Sequence, residues 1–140
     1  MSKPMFFMVF VLVAALAPPM VFAWSTGAAD RAGDAEYHKI PAEEAKELMD
    51  SGEPYVLLDV RTAAEFSEGH IEGAVLIPDD EIVSRAPETL IELDALILIY
   101  CRSGRRSAGA AHTLVAMGYT NVYDFGGILE WPYETVRVAE

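Results

Sequence analysis

The chain has 140 residues, a formal net charge of −12 and a single cysteine. Its length suits one domain that buries a core of its own. The acidic balance argues against nucleic acids and anionic membrane surfaces as partners. It does not argue against a small anionic substrate, because local fields dominate at a binding site.

The beginning of the chain has the pattern of a secretory signal peptide. A positive charge at Lys3 precedes an apolar run from Phe6 to Ala17, and small residues at the end of the segment suit cleavage after Ala23. We therefore predict a signal peptide over residues 1–23 and an exported, periplasmic or otherwise extracytoplasmic protein, free of the membrane after cleavage. The alternative is an uncleaved anchor, although a pair of prolines argues against one continuous spanning helix.

The rest of the chain predicts a linker over residues 24–36 and one domain over residues 37–140, in which strands and helices alternate. Apolar runs such as 96–100 favour strands that are buried on both faces of a parallel sheet. The predicted strands lie at 37–40, 55–58, 74–77, 96–100 and 122–123, and the predicted helices at 41–50, 62–68, 81–85, 87–93, 105–117 and after 127. This order indicates an α/β fold, a mainly parallel sheet with helices on both faces.

Cys101 follows the most strand-like stretch of the chain and precedes a predicted helix. A lone cysteine in an exported chain is a buried small hydrophobe, an intermolecular linker or a reactive thiol. Backbone N–H groups and a helix N-terminus meet at this position, which favours an anion and so favours thiolate over thiol. The polar, arginine-rich surroundings favour the reactive thiol.

The loop reads Cys101-Arg102-Ser103-Gly104-Arg105-Arg106-Ser107. Gly104 allows an unusual φ where the loop curls. Ser107 is suited to bonding a free N–H near the helix start. The three arginines supply positive potential and bidentate donors for an oxyanion. We therefore predict that an anionic substrate binds over this loop.

Five other residues have competing interpretations. Asp59, at the end of the predicted strand 55–58, either orients the loop or caps the following helix, and the capping rule favours the structural role. Arg61 and Glu65 are four residues apart, which predicts an ion pair that fixes the turn. His70 lies in a Gly-His-Ile turn, and we predict a structural role rather than a general base. Trp131 is predicted to anchor the core.

Three stretches in the same order resemble the rhodanese family. Residues 101–107 resemble the C-x-x-G-x-x-S loop of single-domain rhodaneses, and residues 59–78 resemble the signature D-V-R-x-x-x-E-F-x-x-G-H-I-x-G-A-x-x-I-P. Residues 118–131 match the closing pattern G-Y-x-x-V-x-x-x-G-G-I-x-x-W. The short, exported form looks most like the phage-shock-type periplasmic rhodaneses. Leu76 departs from the family, in which Asn often precedes Ile-Pro, and we expect little effect on catalysis.

The resemblance implies a rhodanese-like fold, with a central five-stranded parallel sheet, and a sulfurtransferase that works without metal or organic cofactor. Cys101 would take the outer sulfur of thiosulfate or a similar donor, become a persulfide and pass the sulfur to cyanide or a thiol. A protein sulfur acceptor is a further possible partner. The residues implied to bind substrate are Arg102, Ser103, Gly104, Arg105 and Arg106, and those implied to support the loop are Ser107, Asp59 and Arg61.

Two alternatives differ in class from the sulfurtransferase. Phosphatases on this fold use H-C-x5-R, but here Tyr100 precedes the cysteine and Ser107 stands where the arginine would be. That spacing argues against phosphate monoesters. A non-enzymatic thiol sensor or interaction module on the same scaffold stays open, although no second cysteine exists to resolve an oxidised thiol. A sulfur carrier that serves a protein partner also stays open.

Overall fold

The computed structural model describes residues 37–139. The predicted signal peptide and linker, and Glu140, lie outside the described residues. The strands are β1 His38–Lys39, β2 Tyr55–Asp59, β3 Val75–Leu76, β4 Leu96–Cys101 and β5 Val122–Gly127. The α-helices are α1 Ala42–Asp50, α2 Ala63–Glu68, α3 Ile82–Thr89 and α4 Arg105–Ala116, and short 3₁₀ turns lie at Asp79–Glu81 and Ile128–Glu130.

All five strands are parallel and form one sheet in the order β1-β5-β4-β2-β3. This confirms the predicted α/β fold with a parallel sheet. β4 is the central strand, and its side chains alternate between two apolar clusters. Ile97, Ile99 and Cys101 belong to the cluster that includes α3 and α4, whereas Leu98 and Tyr100 belong to the cluster with α1 and Trp131. Burial on both faces explains the unbroken apolar sequence of this strand.

Parallel strands end at the same edge of a sheet, and this brings the predicted site residues together. Asp59 and Tyr100 are register partners at the ends of β2 and β4, and Cys101 pairs with Gly127 at the end of β5. The register between β4 and β5 shifts between Ile99 and Cys101. The thiol therefore leaves the sheet next to the Gly-Gly pair that ends β5.

Three element predictions differ from the structure. The two short helices predicted on either side of Pro87 are one helix, α3, because Ile82 and Ala86 share a buried face and the proline, near the C-terminal end, removes only one helical hydrogen bond. β5 extends to Gly127 rather than ending at Tyr123. The last helix is a single 3₁₀ turn, and Trp131 follows it as a buried core residue.

Two observations bear on the wider context of the domain. Within residues 37–139, no helix combines the length and the apolar character that crossing a membrane requires. The edge strand β1 is only two residues long and pairs with β5 alone, through His38 and Lys39. A short edge of this kind offers little template for pairing with another chain.

Candidate active site

Cys101 is the last residue of β4, and its side chain lies at the start of α4. The Sγ atom accepts a hydrogen bond from the backbone N–H of Gly104 at 3.0 Å. Gly104 precedes the first turn of α4 and has φ +99°, a conformation that glycine adopts without strain. The structure thus confirms that the loop needs glycine where it curls around the sulfur.

Burial and hydrogen bonding act in opposite directions on the Cys101 thiol. Burial is the largest influence and raises the pKa, because it disfavours the charged form. Hydrogen bonds lower the pKa, and they come from the N–H and hydroxyl groups of Ser107 and from the N–H groups of Gly104 and Ser103. Their combined effect exceeds that of burial, so the pKa of the thiol lies below its ordinary value. The site therefore favours a thiolate although the residue is only 1% exposed.

Ser107 is fully buried beneath the loop and has a different role from the one predicted. Its Oγ lies 3.1 Å from the carbonyl oxygen of Gly104 and 3.2 Å from that of Gly126, so it donates to a carbonyl rather than accepting from a free N–H. The predicted bond to an N–H is wrong because the N–H groups at the start of α4 face the sulfur. A hydroxyl rotates freely and has one proton, so it can turn to a thiolate when one forms.

The loop rests directly on the backbone at the C-terminal end of β5. A Cβ atom on Gly127 would lie 2.2 Å from the carbonyl oxygen of Arg102 and 2.6 Å from the Cα of Ser103. A Cβ on Gly104 would lie 3.4 Å from the Cα of Gly126. No side chain fits between these two segments at Gly127, and this explains the Gly-Gly pair in physical terms.

The three arginines of the loop divide into two kinds. Arg102 and Arg105 are exposed, and neither forms an ion pair with any of residues 37–139. Arg106 donates two hydrogen bonds to Glu65, at 2.9 Å from Nη1 to Oε2 and 2.8 Å from Nη2 to Oε1. This bidentate pair joins α4 to α2, so only Arg102 and Arg105 have free guanidinium groups.

The predicted ion pair between Arg61 and Glu65 is therefore wrong. Arg61 instead binds the carboxylate of Asp59, with 2.7 Å from Nη2 to Oδ2, and also donates to the carbonyl oxygen of Gly69 at 2.7 Å. Asp59 and Arg61 are 0% and 5% exposed. A buried charge requires a partner with good geometry, and this pair supplies it for both residues.

The predicted helix cap at Asp59 is also wrong. Thr62 caps α2: its hydroxyl accepts the N–H of Glu65 at 3.2 Å, and the carboxylate of Glu65 accepts the N–H of Thr62 at 3.0 Å. This reciprocal arrangement is a capping box. Thr62 directly precedes the helix, whereas Asp59 is still in the sheet, and the sequence Thr-Ala-Ala-Glu gives the signal for this cap.

Asp59 and Arg61 reach the thiol only through the neighbouring residue Tyr100. The ring of Tyr100 lies 5.6 Å from the Arg61 guanidinium, and its hydroxyl accepts the N–H of Ile71 at 3.1 Å. Burial, with Asp59 as a further cause, raises the pKa of Tyr100 well above its ordinary value. The cluster fixes the end of β4 from behind and does not touch the sulfur.

Sequence reasoning missed two residues on the other side of the loop. The Asp124 carboxylate is 0% exposed, accepts the N–H of Gly126 at 2.9 Å and pairs with the Lys39 ammonium at 2.8 Å. An acidic residue two positions before a Gly-Gly turn is the signal that indicates such a bond.

His70 has the predicted structural environment: its ring stacks on Phe66, and Nδ1 lies 2.9 Å from the Phe66 carbonyl oxygen.

The fold and the loop agree with comparisons to known proteins. Residues 41–133 match the family model for the Rhodanese-like domain. The chain belongs to this family. It is 40% identical over 98 residues to YrkF of Bacillus subtilis (strain 168), whose name assigns it to sulfur carriers, covering 69% of this chain and 52% of that protein. It is 34% identical over 71 residues to the thiosulfate sulfurtransferase PspE of Escherichia coli (strain K12), covering 51% of this chain and 68% of PspE.

Solved structures agree with this membership. A rhodanese-like domain protein from Staphylococcus aureus superposes with a TM-score of 0.62 and 31% identity, over 73% of this chain and 99% of that one. The chain spans only about a quarter to a half of the length of the longer curated relatives that it matches. Residues 41–133 thus form a rhodanese-like domain that is similar to proteins named as sulfurtransferases and sulfur carriers.

The contact at Gly127 predicts a specific loss in Gly127→Ala. The new methyl group would overlap the Arg102 carbonyl, so we expect a loss of about 1–3 kcal/mol in the free energy of unfolding and slower alkylation of Cys101. Urea unfolding and iodoacetamide kinetics measure the two effects. Gly109→Ala in α4 is the control, because a Cβ there meets nothing within 4 Å and stability should rise slightly. Equal effects of the two changes would contradict the prediction.

The pair between Glu65 and Arg106 predicts a pH-dependent contribution to stability. The hydrogen bonds from Arg106 are the main cause that lowers the pKa of Glu65 from 4.5 to about 2. A depressed folded-state pKa stabilises the fold above the unfolded value and is lost as the pH falls through the folded value. Glu65→Gln should cost about 1–2 kcal/mol at pH 7, and the difference from the natural protein should shrink between pH 4.5 and 2.

The control for this prediction is Glu81→Gln. Glu81 also pairs with an arginine, Arg85, four residues further along the chain, but both side chains are 46% exposed. We expect a loss below about 0.5 kcal/mol there. A Glu65→Gln difference that stayed constant down to pH 2 would show that the carboxylate charge contributes nothing.

Proposed function

We propose that this domain transfers sulfane sulfur from a small anionic donor to an acceptor through a persulfide on Cys101. The observation that carries the proposal is the Cys101 Sγ at the N-terminal end of α4, where backbone N–H groups lower the thiol pKa. An N–H-lined site favours the thiolate that attacks the donor and the persulfide anion that results. The relatives named as sulfurtransferases or sulfur carriers support the same chemistry.

The first step moves one sulfur atom with its bonds balanced. The Cys101 thiolate attacks the outer sulfur of thiosulfate, a new S–S bond forms, and the sulfur–sulfur bond of the donor breaks. The electron pair of that bond leaves with sulfite. The resulting persulfide anion replaces the thiolate among the same N–H donors, so the charge at the site is conserved.

The donor is held, in this proposal, by the two arginines that have free guanidinium groups. Arg102 and Arg105 flank the loop and offer bidentate donors to an oxyanion. Arg106 contributes to the positive potential, but its Nη1 and Nη2 groups donate hydrogen bonds to Glu65. Ser103 and Gly104 contribute their N–H groups, whereas Ser107, Asp59 and Arg61 support the loop.

The relationship to YrkF favours a second candidate, a sulfur carrier whose persulfide goes to a protein partner. In that case thiosulfate would load Cys101 efficiently, but cyanide and small thiols would unload it slowly. Isolating the persulfide form and following its decay against each acceptor separates the two. Rapid turnover with thiosulfate and cyanide, abolished in Cys101→Ser, would exclude the carrier and the non-enzymatic sensor.

We also propose export followed by cleavage after Ala23, from the pattern of charge and apolar residues at the start of the chain. Expression of the full chain in a bacterium, fractionation and N-terminal sequencing test this. A first residue of Trp24 in the periplasmic fraction is the expected result. Retention of the uncleaved chain in the membrane fraction would favour the anchor instead.

Incubation with thiosulfate should add one sulfur atom to the protein. We expect a mass increase of ~32 Da located on Cys101, because an activated nucleophile forms a covalent intermediate. Intact-protein and peptide mass spectrometry measure it. Cys101→Ser is the matched control and should show no increment. A reduced, folded protein that gains no mass would rule out the proposed function.

The different environments of the arginines predict different consequences of their removal. Arg105→Ala should raise the KM for thiosulfate about three- to tenfold and leave stability unchanged, because its guanidinium is free and exposed. Arg106→Ala should lower the free energy of unfolding by about 1–2 kcal/mol, because it breaks the pair with Glu65. Steady-state kinetics and urea unfolding check both. Identical profiles of the two variants would contradict this division of roles.

A further inference from the structure

A cavity of about 640 Å³ lies beside the active loop and shares Ser103 with it. Its lining includes apolar surface from Phe125 and charged groups from Lys39, Glu43 and Glu130. The two arginines proposed to hold the donor do not line this cavity. The arginines and the cavity are therefore separate charged surfaces beside the loop. The proposed binding of the donor involves the arginines and not the cavity.

Two groups of opposite charge, from Lys39 and Glu130, lie close to Gly126 in this cavity. The Lys39 Nζ lies 3.6 Å and the Glu130 Oε2 lies 3.9 Å from the position that a Cβ on Gly126 would occupy. Lys39 Nζ also lies 3.7 Å from the corresponding position on Gly104, the residue whose N–H bonds the Cys101 sulfur. These charges therefore sit against the backbone that cradles the thiol.

The net charge of the cavity is negative. Lys39 is neutralised by the fully buried carboxylate of Asp124 at 2.8 Å. Neither Glu43 nor Glu130 forms an ion pair with any residue of the described range 37–139. A negative cavity repels a dianionic donor and attracts a cation. The local charge therefore suits a second reactant that carries a positive group beside its thiol.

We propose that this cavity selects the sulfur acceptor, and that it takes an aminothiol whose ammonium group binds Glu130, with Glu43 as the second carboxylate. This inference rests on the proposed function. The acceptor thiol loses its proton to solvent, and its thiolate attacks the outer sulfur of the Cys101 persulfide. A new S–S bond forms on the acceptor, the persulfide bond breaks, and its electron pair returns to Cys101 as thiolate. No net oxidation takes place.

Single-turnover unloading of the isolated persulfide tests the assignment without involving the donor. The probes are cysteamine, 2-mercaptoethanol and 3-mercaptopropionate, which carry a positive, a neutral and a negative group beside the thiol. Each rate is normalised to the thiolate fraction of the probe. We expect the order cysteamine, mercaptoethanol, mercaptopropionate, and an about two- to fivefold loss of the cysteamine preference in Glu130→Gln.

The matched control is Glu88→Gln, which removes the same charge from an exposed position on α3 outside this cavity. It should leave the ratio of cysteamine to mercaptoethanol rates unchanged. A ratio that does not change in Glu130→Gln, or that falls equally in both variants, would overturn the acceptor site while the proposed function stands. Failure of thiosulfate to form the persulfide at all would overturn both.

Discussion

The contact between the cysteine loop and the C-terminal end of β5 is the constraint on which the site depends. Gly127 has the Arg102 carbonyl against it at a distance that excludes any side chain, and Gly126 lies against Gly104. With the loop held there, the N–H groups of Ser103, Gly104 and Ser107 point at the sulfur. The thiol pKa is lowered by this arrangement against the opposing effect of burial. The lowered pKa of the thiol is thus a consequence of backbone packing.

Two ion pairs secure this packing from opposite sides, and each has a fully buried carboxylate, Asp59 or Asp124. Asp59 and Arg61 fix the end of β2 and, through Tyr100, the end of β4. Asp124 and Lys39 fix the turn that carries Gly126. A buried pair costs desolvation, and its value lies in geometry that tolerates few alternatives. Because these pairs lie near the strand ends, they restrict the geometry at the point where the loop leaves the sheet.

The sequence predicted the fold, and it indicated Cys101 as the candidate nucleophile, because both inferences depend on local patterns. The apolar run 96–100 indicated a strand buried on both faces, and the glycine at 104 indicated an unusual φ, which the value of +99° confirms. Long-range pairing was harder to predict. Glu65 stood at helical spacing from Arg61, yet it bonds Arg106, 41 positions away along the chain. Spacing rules describe one helix surface, and they carry no information about which loop the fold brings to it.

The burial of Ser107 shows a second limit of local reasoning. Its position near the start of α4 suggested a cap, but its hydroxyl meets the carbonyl oxygens of Gly104 and Gly126. Whether a hydroxyl donates or accepts depends on the groups around it, and here the carbonyl of Gly126 comes from another strand. The same dependence hid Asp124, whose role appears only once its turn lies beside the loop.

The groups that bind the sulfur are mostly main-chain N–H groups, and this separates two properties that many active sites combine. Stabilisation of the anion depends on the path of the backbone, whereas we propose that recognition of the reactants depends on the exposed side chains at positions 102, 105 and 130. Substitutions at those surface positions leave the cradle intact. A scaffold of this kind can acquire new reactants by surface change alone, without rebuilding its nucleophile.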